Sequence, residues 1–118
     1  MAELKRNASP FTINSADNYI IGGDSTGQVS IVVIELTSSS FSGSITITGR
    51  IAGTTQTPVS IPYKKRWLNG AAGDDTNVTT AITTTSLIEV DAAGLDIGIS
   101  CTSYTSGSMT VDYRFLIG

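Results

Sequence analysis

The stretch "VDAAGLDIGISCTSYTSGSMTVDYRF", from Val90 to Phe115, decides the fold class. Its first half alternates apolar with small or polar residues, the period of a strand with one buried face, with the apolar positions Leu95, Ile97, Ile99 and Cys101. A second alternating run begins at Met109, and the link "YTSG" places Gly107 where a short hairpin loop needs a positive φ. The stretch therefore predicts an antiparallel hairpin at the end of the chain.

Further strands are predicted upstream. The continuous apolar run "QVSIVVIEL" (28–36) indicates a central strand covered on both faces, which "TSSSFSG" then breaks. "GSITITGRIAG" alternates cleanly, and "NVTTAITT" and "SLIEVD" are two more short strands. "PVSIPYKKRWL" contains Pro58 and Pro62, which cannot donate to a β-ladder, so we expect an edge or bulged strand there. "NGAAGDD" (69–75) is expected to be a loop.

About eight short strands at this spacing are typical of an antiparallel sandwich. Ser and Thr supply 32 of the 118 residues, and this composition favours strands and turns. We therefore predict an all-β protein, an antiparallel β-sandwich of jelly-roll-like type. Its predicted core follows the period-two phase and consists of Val29, Ile31, Val33, Ile45, Ile47, Ile51, Leu95, Ile97, Ile99, Met109, Val111 and Tyr113.

The strand pattern is poorest at the beginning of the chain. We predict an extended N-terminal arm over residues 1–27 and a β-sandwich domain over residues 28–118. An extended arm can pair with the open strand edge of a neighbouring molecule. Its apolar residues Leu4 and Phe11 are candidates for such a contact.

Composition argues against several classes of function. The chain has no histidine, so neither a Ser-His-Asp triad nor a histidine metal site can form within it. Cys101 is the only cysteine and falls in phase with buried residues, which favours burial over reactivity. The net charge of −3 disfavours nucleic acid and anionic lipid as partners, and no apolar window approaches the length of a membrane span. We predict no catalytic, metal or cofactor site.

Carboxylates leave a weaker enzymatic option open. Glu89, Asp91 and Asp96 could meet the adjacent Asp74 and Asp75, although the last two are more typical of a solvated turn. The same Gly-rich loop could hold Ca²⁺, but it lacks the regular acidic spacing of a calcium loop.

The segment "YKKRWL" contains the only basic run and two aromatic residues. Aromatic rings beside cations can stack on a base or a sugar, whereas lysines on an edge strand also protect it from aggregation. Of the functional interpretations we keep an inter-subunit contact, and we predict a closed homotrimer. The interface candidates are Tyr63, Lys64, Lys65, Arg66 and Trp67.

The end of the chain resembles a pattern of small virion proteins of tailed bacteriophages. It comprises a Val-Asp, a Gly-Leu, an alternating strand, a Tyr-Thr-Ser-Gly-Ser turn and a second alternating strand with an arginine. These features are carried by Val90, Asp91, Gly94, Leu95, Ile97, Ile99, Tyr104, Thr105, Ser106, Gly107, Ser108, Val111 and Arg114, within the last third of the chain. The resemblance implies a non-catalytic β-sandwich module present in many copies on the head or tail of a particle.

Within that class the expected function is a capsid decoration (cement) protein, located in the virion and assembled in the cytoplasm of a bacterial host. Its expected partners are further copies of itself and the major capsid protein or another virion protein. A tail, baseplate or fibre-associated module is the first alternative. The second is a carbohydrate-binding jelly roll with Tyr63, Trp67 and Tyr104 as platforms for sugar rings.

Overall fold

The protein is all-β in a computed structural model that describes residues 10–23, 29–54, 56–68, 71–72, 77–78 and 81–117. No helix occurs in these ranges, and so none that could cross a membrane is found there. The prediction of an all-β protein is confirmed. In chain order the strands are β1 (Phe11–Ile13), β2 (Asn18–Gly23), β3 (Val29–Ile51), β4 (Val59–Ser60), β5 (Tyr63–Leu68), β6 (Ala71–Ala72), β7 (Asn77–Val78), β8 (Ser86–Asp91) and β9 (Leu95–Ile117).

The long strands β3 and β9 form one antiparallel ribbon. Their register runs from Val29 opposite Ile117 to Ile51 opposite Leu95. A straight strand of this length would span about 75 Å, whereas the longest dimension of the molecule is 36 Å. The ribbon must therefore fold back on itself.

The predicted hairpin at "YTSG" is wrong, because β9 continues without a turn from Leu95 to Ile117. Gly107 does have a positive φ of 78°, but its neighbours Ser106 and Ser108 both remain paired with β3. A glycine with positive φ serves a β-bulge as well as a hairpin loop, and here it lies opposite the bulges of β3. The same bulges show that "TSSSFSG" bends β3 without ending it.

Bulges and aromatic packing form the bend. The register shifts of β3 cluster between Ser39 and Ile45. Phe41 is buried there, with its ring centroid 6.2 Å from that of Tyr104. The Tyr104 hydroxyl donates to the carbonyl oxygen of Gly107 over 2.7 Å. The bend is thus fixed by packing from both strands.

The remaining strands extend the ribbon on both sides into one connected antiparallel sheet. β8 pairs with the first half of β3, and β5 pairs with β8. On the other side, β1 pairs with the half of β9 that is hydrogen-bonded to this part of β3. The other half of the ribbon carries β4 on β3 and β2 on β9. The short connection Ala92–Gly94 leads from β8 at one end of the ribbon to Leu95 at the other. The two ends therefore lie close together.

Side chains from both halves of the ribbon fill a single core. The predicted core positions Ile45, Ile47, Ile97, Ile99, Met109 and Val111 are confirmed as buried. In the first half of β3 the predicted phase is wrong, because Val32, Ile34 and Leu36 point inward while Ile31 and Val33 are only half-buried. A continuous apolar run carries no period-two signal that could decide between the faces. Of the other predicted core residues, Ile51 is exposed, Leu95 and Tyr113 are half-buried, and the side chain of Val29 lies outside the described part.

Two strands of the predicted arm belong to the sheet of this chain. β1 and β2 both pair with β9, and Ile13 and Ile21 are buried in the core. The predicted division at residue 27 stays a prediction, with residues 1–9 and 24–28 outside the described part.

The proline-containing segment divides into two strands on different neighbours. Val59 and Ser60 pair with β3, whereas Tyr63–Leu68 pairs with β8 and has a bulge between Lys65 and Trp67. Within the predicted loop 69–75, Ala71 and Ala72 instead form β6 on β5, and the other residues lie outside the described part.

Candidate functional site

Tyr63 is a core residue. Only 4% of it reaches solvent, and it belongs to the hydrophobic cluster. Burial raises the pKa of its phenol above the usual 10.0. Its ring is therefore not at the surface of the single chain, and its role as an interface residue or a platform for a sugar stays a prediction.

The other interface candidates of "YKKRWL" follow Tyr63 in β5. Lys64 is half-buried and lies opposite Glu89 of β8. The backbone of Lys65, Arg66 and Trp67 is part of β5, but their side chains lie outside the described part, as does Leu4. Their role at an interface stays a prediction.

Phe11 is half-buried in a row of aromatic rings beside β9. Its ring stacks on Tyr19 with centroids 5.5 Å apart and meets Tyr113 edge-on at 6.4 Å. Tyr113 in turn contacts Phe115 at 5.4 Å. Phe11 therefore packs against its own chain, and its predicted role as an interface residue stays a prediction.

A shallow groove of about 320 Å³ lies on the side of the sheet turned away from the core, across β8, β3 and β9. It is lined by Val33, Glu35, Leu87, Asp112, Tyr113 and Arg114. We call the surface around it the outer face, formed by Ile31, Val33, Glu35, Leu87, Glu89, Asp112, Arg114 and Leu116. These residues share one side of the sheet because each lies directly opposite another of them in the register.

The outer face combines an apolar floor with exposed charges. Val33 and Leu87 are half-buried, whereas Glu35, Asp112 and Arg114 are exposed. Glu35 lies directly opposite Asp112, and Val33 lies directly opposite Arg114. A surface that is apolar at its centre and charged around it suits a polypeptide partner. The two-residue spacing of Asp112 and Arg114 predicts from the sequence alone that they share one face of a strand. Their places opposite Glu35 and Val33 of β3 follow only from the register.

Asp96, one of the carboxylates considered for catalysis, belongs to a buried ion pair instead. Its Oδ2 lies 3.7 Å from Nε of Arg50, and the two side chains are only 7% and 10% exposed. The same Oδ2 accepts a hydrogen bond from the backbone N–H of Gly53 over 3.2 Å. The pair thus fastens the turn after β3 to the start of β9.

The other carboxylates form no metal site in the described part of the chain, where no three His, Cys, Asp or Glu side chains come together. Asp91 is exposed and accepts a hydrogen bond from the backbone of Ala93 over 3.2 Å. Asp74 and Asp75 lie outside the described residues.

Cys101 is buried, as predicted. It is 3% exposed, and its thiol donates to the carbonyl oxygen of Ser103 with a separation of 3.3 Å. Burial raises the pKa of this thiol above 9.0, which keeps it in the less nucleophilic protonated form.

The structure describes the side chains of two of the three predicted sugar platforms. Tyr63 is in the core, Tyr104 is half-buried against Phe41 with its hydroxyl bonded to Gly107, and the Trp67 side chain lies outside the described part.

Compared with known proteins, the chain matches no protein-family model, no curated protein and no solved structure. Its function is therefore argued from the geometry and from the resemblance at its C-terminal end.

Proposed function

We propose that this chain is a non-enzymatic structural protein of a bacteriophage particle, acting as a capsid decoration (cement) protein. The observation that carries the proposal concerns β9. Nearly all residues of the phage-like pattern lie in this strand or in the three-residue connection before it, and β9 pairs with β1, β2 and β3. The resemblance thus covers the strand that organises the sheet.

We also propose that the folded-back ribbon forms a two-layer, jelly-roll-like sandwich. Stacked sheets lie about 10 Å apart, and side chains on both outer surfaces add to that thickness. The shortest dimension of the molecule, 22 Å, is compatible with two such layers. Support also comes from the single core shared by the two halves of the ribbon.

The proposed partners are two further copies in a closed trimer and the major capsid protein or another virion protein. The trimer would use the segment of residues 58–68, in which β4 pairs only with β3, whereas β5 pairs with β8 and also carries β6 and β7. We expect Trp67→Ala to weaken the trimer more than it lowers the melting temperature. A monomeric protein at high concentration would contradict the trimer.

Mass spectrometry of purified particles tests the function. We expect the protein to be present in many copies, in a fixed ratio to the major capsid protein. Deleting Met1 to Pro10 should leave the melting temperature similar, because β1 begins only at Phe11, while lowering occupancy on the particle. Absence of the protein from purified particles would contradict the function, and full occupancy of the truncated protein would contradict the role of the arm.

A tail or baseplate position is distinguished by the same experiment, because such a component is present in far fewer copies than a head decoration protein. The carbohydrate-binding alternative is weakened by the burial of Tyr63. Specific binding on a glycan array would revive it.

A further inference from the structure

The outer face has an apolar groove at its centre. Val33 and Leu87 line the groove and are half-buried, and Leu116 on the same face is 44% exposed. Val33 belongs to the continuous apolar run of β3, and strands with such runs are usually covered on both sides. The core covers only one side of this strand, so the groove is a surface on which a further segment can pack.

Negative charge is concentrated in one row of the outer face. Glu35 and Asp112 are exposed and lie directly opposite each other, and like charges in this position destabilise a sheet. Arg114, the one cation of the outer face, lies in the next row, and Glu89 lies opposite Lys64 of β5. A further cation is therefore stabilised most strongly at the row of Glu35 and Asp112.

β1 begins beside this row. It runs antiparallel to β9 with Phe11 opposite Val111, so the chain before Phe11 arrives from the direction of Asp112. Pro10 is exposed, lies in a bend and cannot donate to the β-ladder. The nine residues before it can extend over about 30 Å, whereas neighbouring strands are about 5 Å apart. They are therefore long enough to reach every strand of the outer face.

Residues 1–9 have the sequence "MAELKRNAS", and their structure lies outside the described part. They contain the adjacent cations Lys5 and Arg6, one carboxylate at Glu3 and an apolar side chain at Leu4. This composition complements both the acidic row and the apolar groove. Because the segment is attached beside the face, its effective concentration there is high, and contacts too weak to hold a separate basic peptide suffice to hold it.

We propose that residues 1–9 dock on the outer face of their own chain, with Lys5 and Arg6 at the row of Glu35 and Asp112 and with Leu4 over the apolar groove. Ion pairs at an exposed surface contribute little to folding stability, so this docking agrees with the similar melting temperature expected after deletion of the arm. The docked segment keeps the arm on its own chain until a neighbouring virion protein takes it up, and this last step alone rests on the function proposed above.

Paramagnetic relaxation in the full chain tests the contact. A nitroxide is attached at Glu3→Cys in a chain that also carries Cys101→Ala, so that the label has a single site. We expect strong broadening of the methyl signals of Val33 and Leu87 at low salt, and weaker broadening as salt rises, because charge pairs at a surface are screened. In a mixture of a spin-labelled chain with an isotope-labelled chain that carries no nitroxide, the signals of the second chain should stay sharp.

Charge variants identify the contact. Lys5→Glu/Arg6→Glu and Glu35→Lys/Asp112→Lys should each lower the broadening at least about threefold, because each turns attraction into repulsion. Combining all four changes should restore it, because the pairs are merely reversed. Asp17→Lys is the matched control, since it reverses a charge at an exposed residue of the β1–β2 connection and should leave the broadening unchanged.

Melting temperatures should show that all variants are folded. Broadening that neither double variant lowers, or that the combined variant does not restore, would overturn the proposal. Broadening of the chain without a nitroxide in the mixture would place the segment on a neighbouring copy and would overturn docking on its own chain. None of these measurements involves particles, so they stand apart from the test of the proposed function.

Discussion

Ser40 and Gly107 meet at the bend of the ribbon, both with backbone in the left-handed region. Their φ angles are 53° and 78°, and a Cβ atom added to Gly107 would collide with the carbonyl oxygen of Ser40. This close approach lets the long strands bend while remaining paired on both sides of the bulges. The backbone of these two residues is thus the point at which the ribbon bends.

Gly107→Ala is therefore expected to cost more stability than the same change at Gly94. Gly94 has a similar φ of 75° but nothing within 4 Å of an added Cβ, so it reports backbone strain alone. We expect about 1 to 2 kcal/mol for Gly94→Ala and at least about 1 kcal/mol more for Gly107→Ala. Urea unfolding measures both. Equal losses would mean that the contact with Ser40 is not needed for the bend.

Ile97→Ala tests the core to which both halves of the ribbon contribute side chains. Ile97 is fully buried, so we expect a loss of about 2 to 5 kcal/mol in the free energy of unfolding. The matched control is Ile51→Ala, because Ile51 is 57% exposed near the end of the same ribbon and should lose less than about 0.5 kcal/mol. Similar losses at the two positions would contradict the packing described for the ribbon.

The parts of the fold that the sequence predicts are those with a clear alternation. Ile45 and Ile47 in β3, and Ile97 and Ile99 in β9, are separated by polar or small residues, so their inward phase follows from the pattern. The run from Ile31 to Ile34 contains no polar residue, and its phase is set only by its pairing with β8 and β9.

The bend and the outer face required three-dimensional information. Glycine and serine occur in both hairpin loops and bulges, so "YTSG" does not distinguish a turn from a bent strand. Glu35 and Asp112 are far apart in the sequence, and only the register places them side by side. The segment "YKKRWL" mixes charged and aromatic residues on a bulged strand, so its pattern does not reveal that Tyr63 turns inward.

Removal of Asp96 should be strongly destabilising. Asp96→Ala leaves the guanidinium of Arg50 in a site that is only 10% exposed, and breaking such a buried pair costs about 3 to 5 kcal/mol. Replacing both residues, as Arg50→Met/Asp96→Ala, removes the uncompensated charge. We expect the loss in the double variant to be smaller than the sum of the single losses by about 1 to 3 kcal/mol. Additive losses in chemical denaturation would show that the two side chains do not interact.

Alkaline pH should destabilise the protein through Cys101. Burial raises the pKa of its thiol in the folded state above 9.0, so the unfolded chain ionises first as the pH rises. The stabilising contribution is complete below the unfolded pKa and is lost as the pH rises toward the folded one. As the pH rises through the unfolded pKa of the thiol, we expect Cys101→Ala to lose less stability than the original chain.

Tyr63→Phe is the control for this pH dependence. The pKa of Tyr63 is also raised by burial, but its unfolded value of 10.0 places its effect at higher pH. Below about pH 9.5 the Tyr63→Phe variant should therefore lose nearly as much stability with rising pH as the original chain does. It should differ from the original chain only at higher pH. Denaturant unfolding of the three proteins at matched ionic strength measures these differences. If the original chain and Cys101→Ala lose the same stability as the pH rises, the thiol ionises as readily in the folded chain as in the unfolded one.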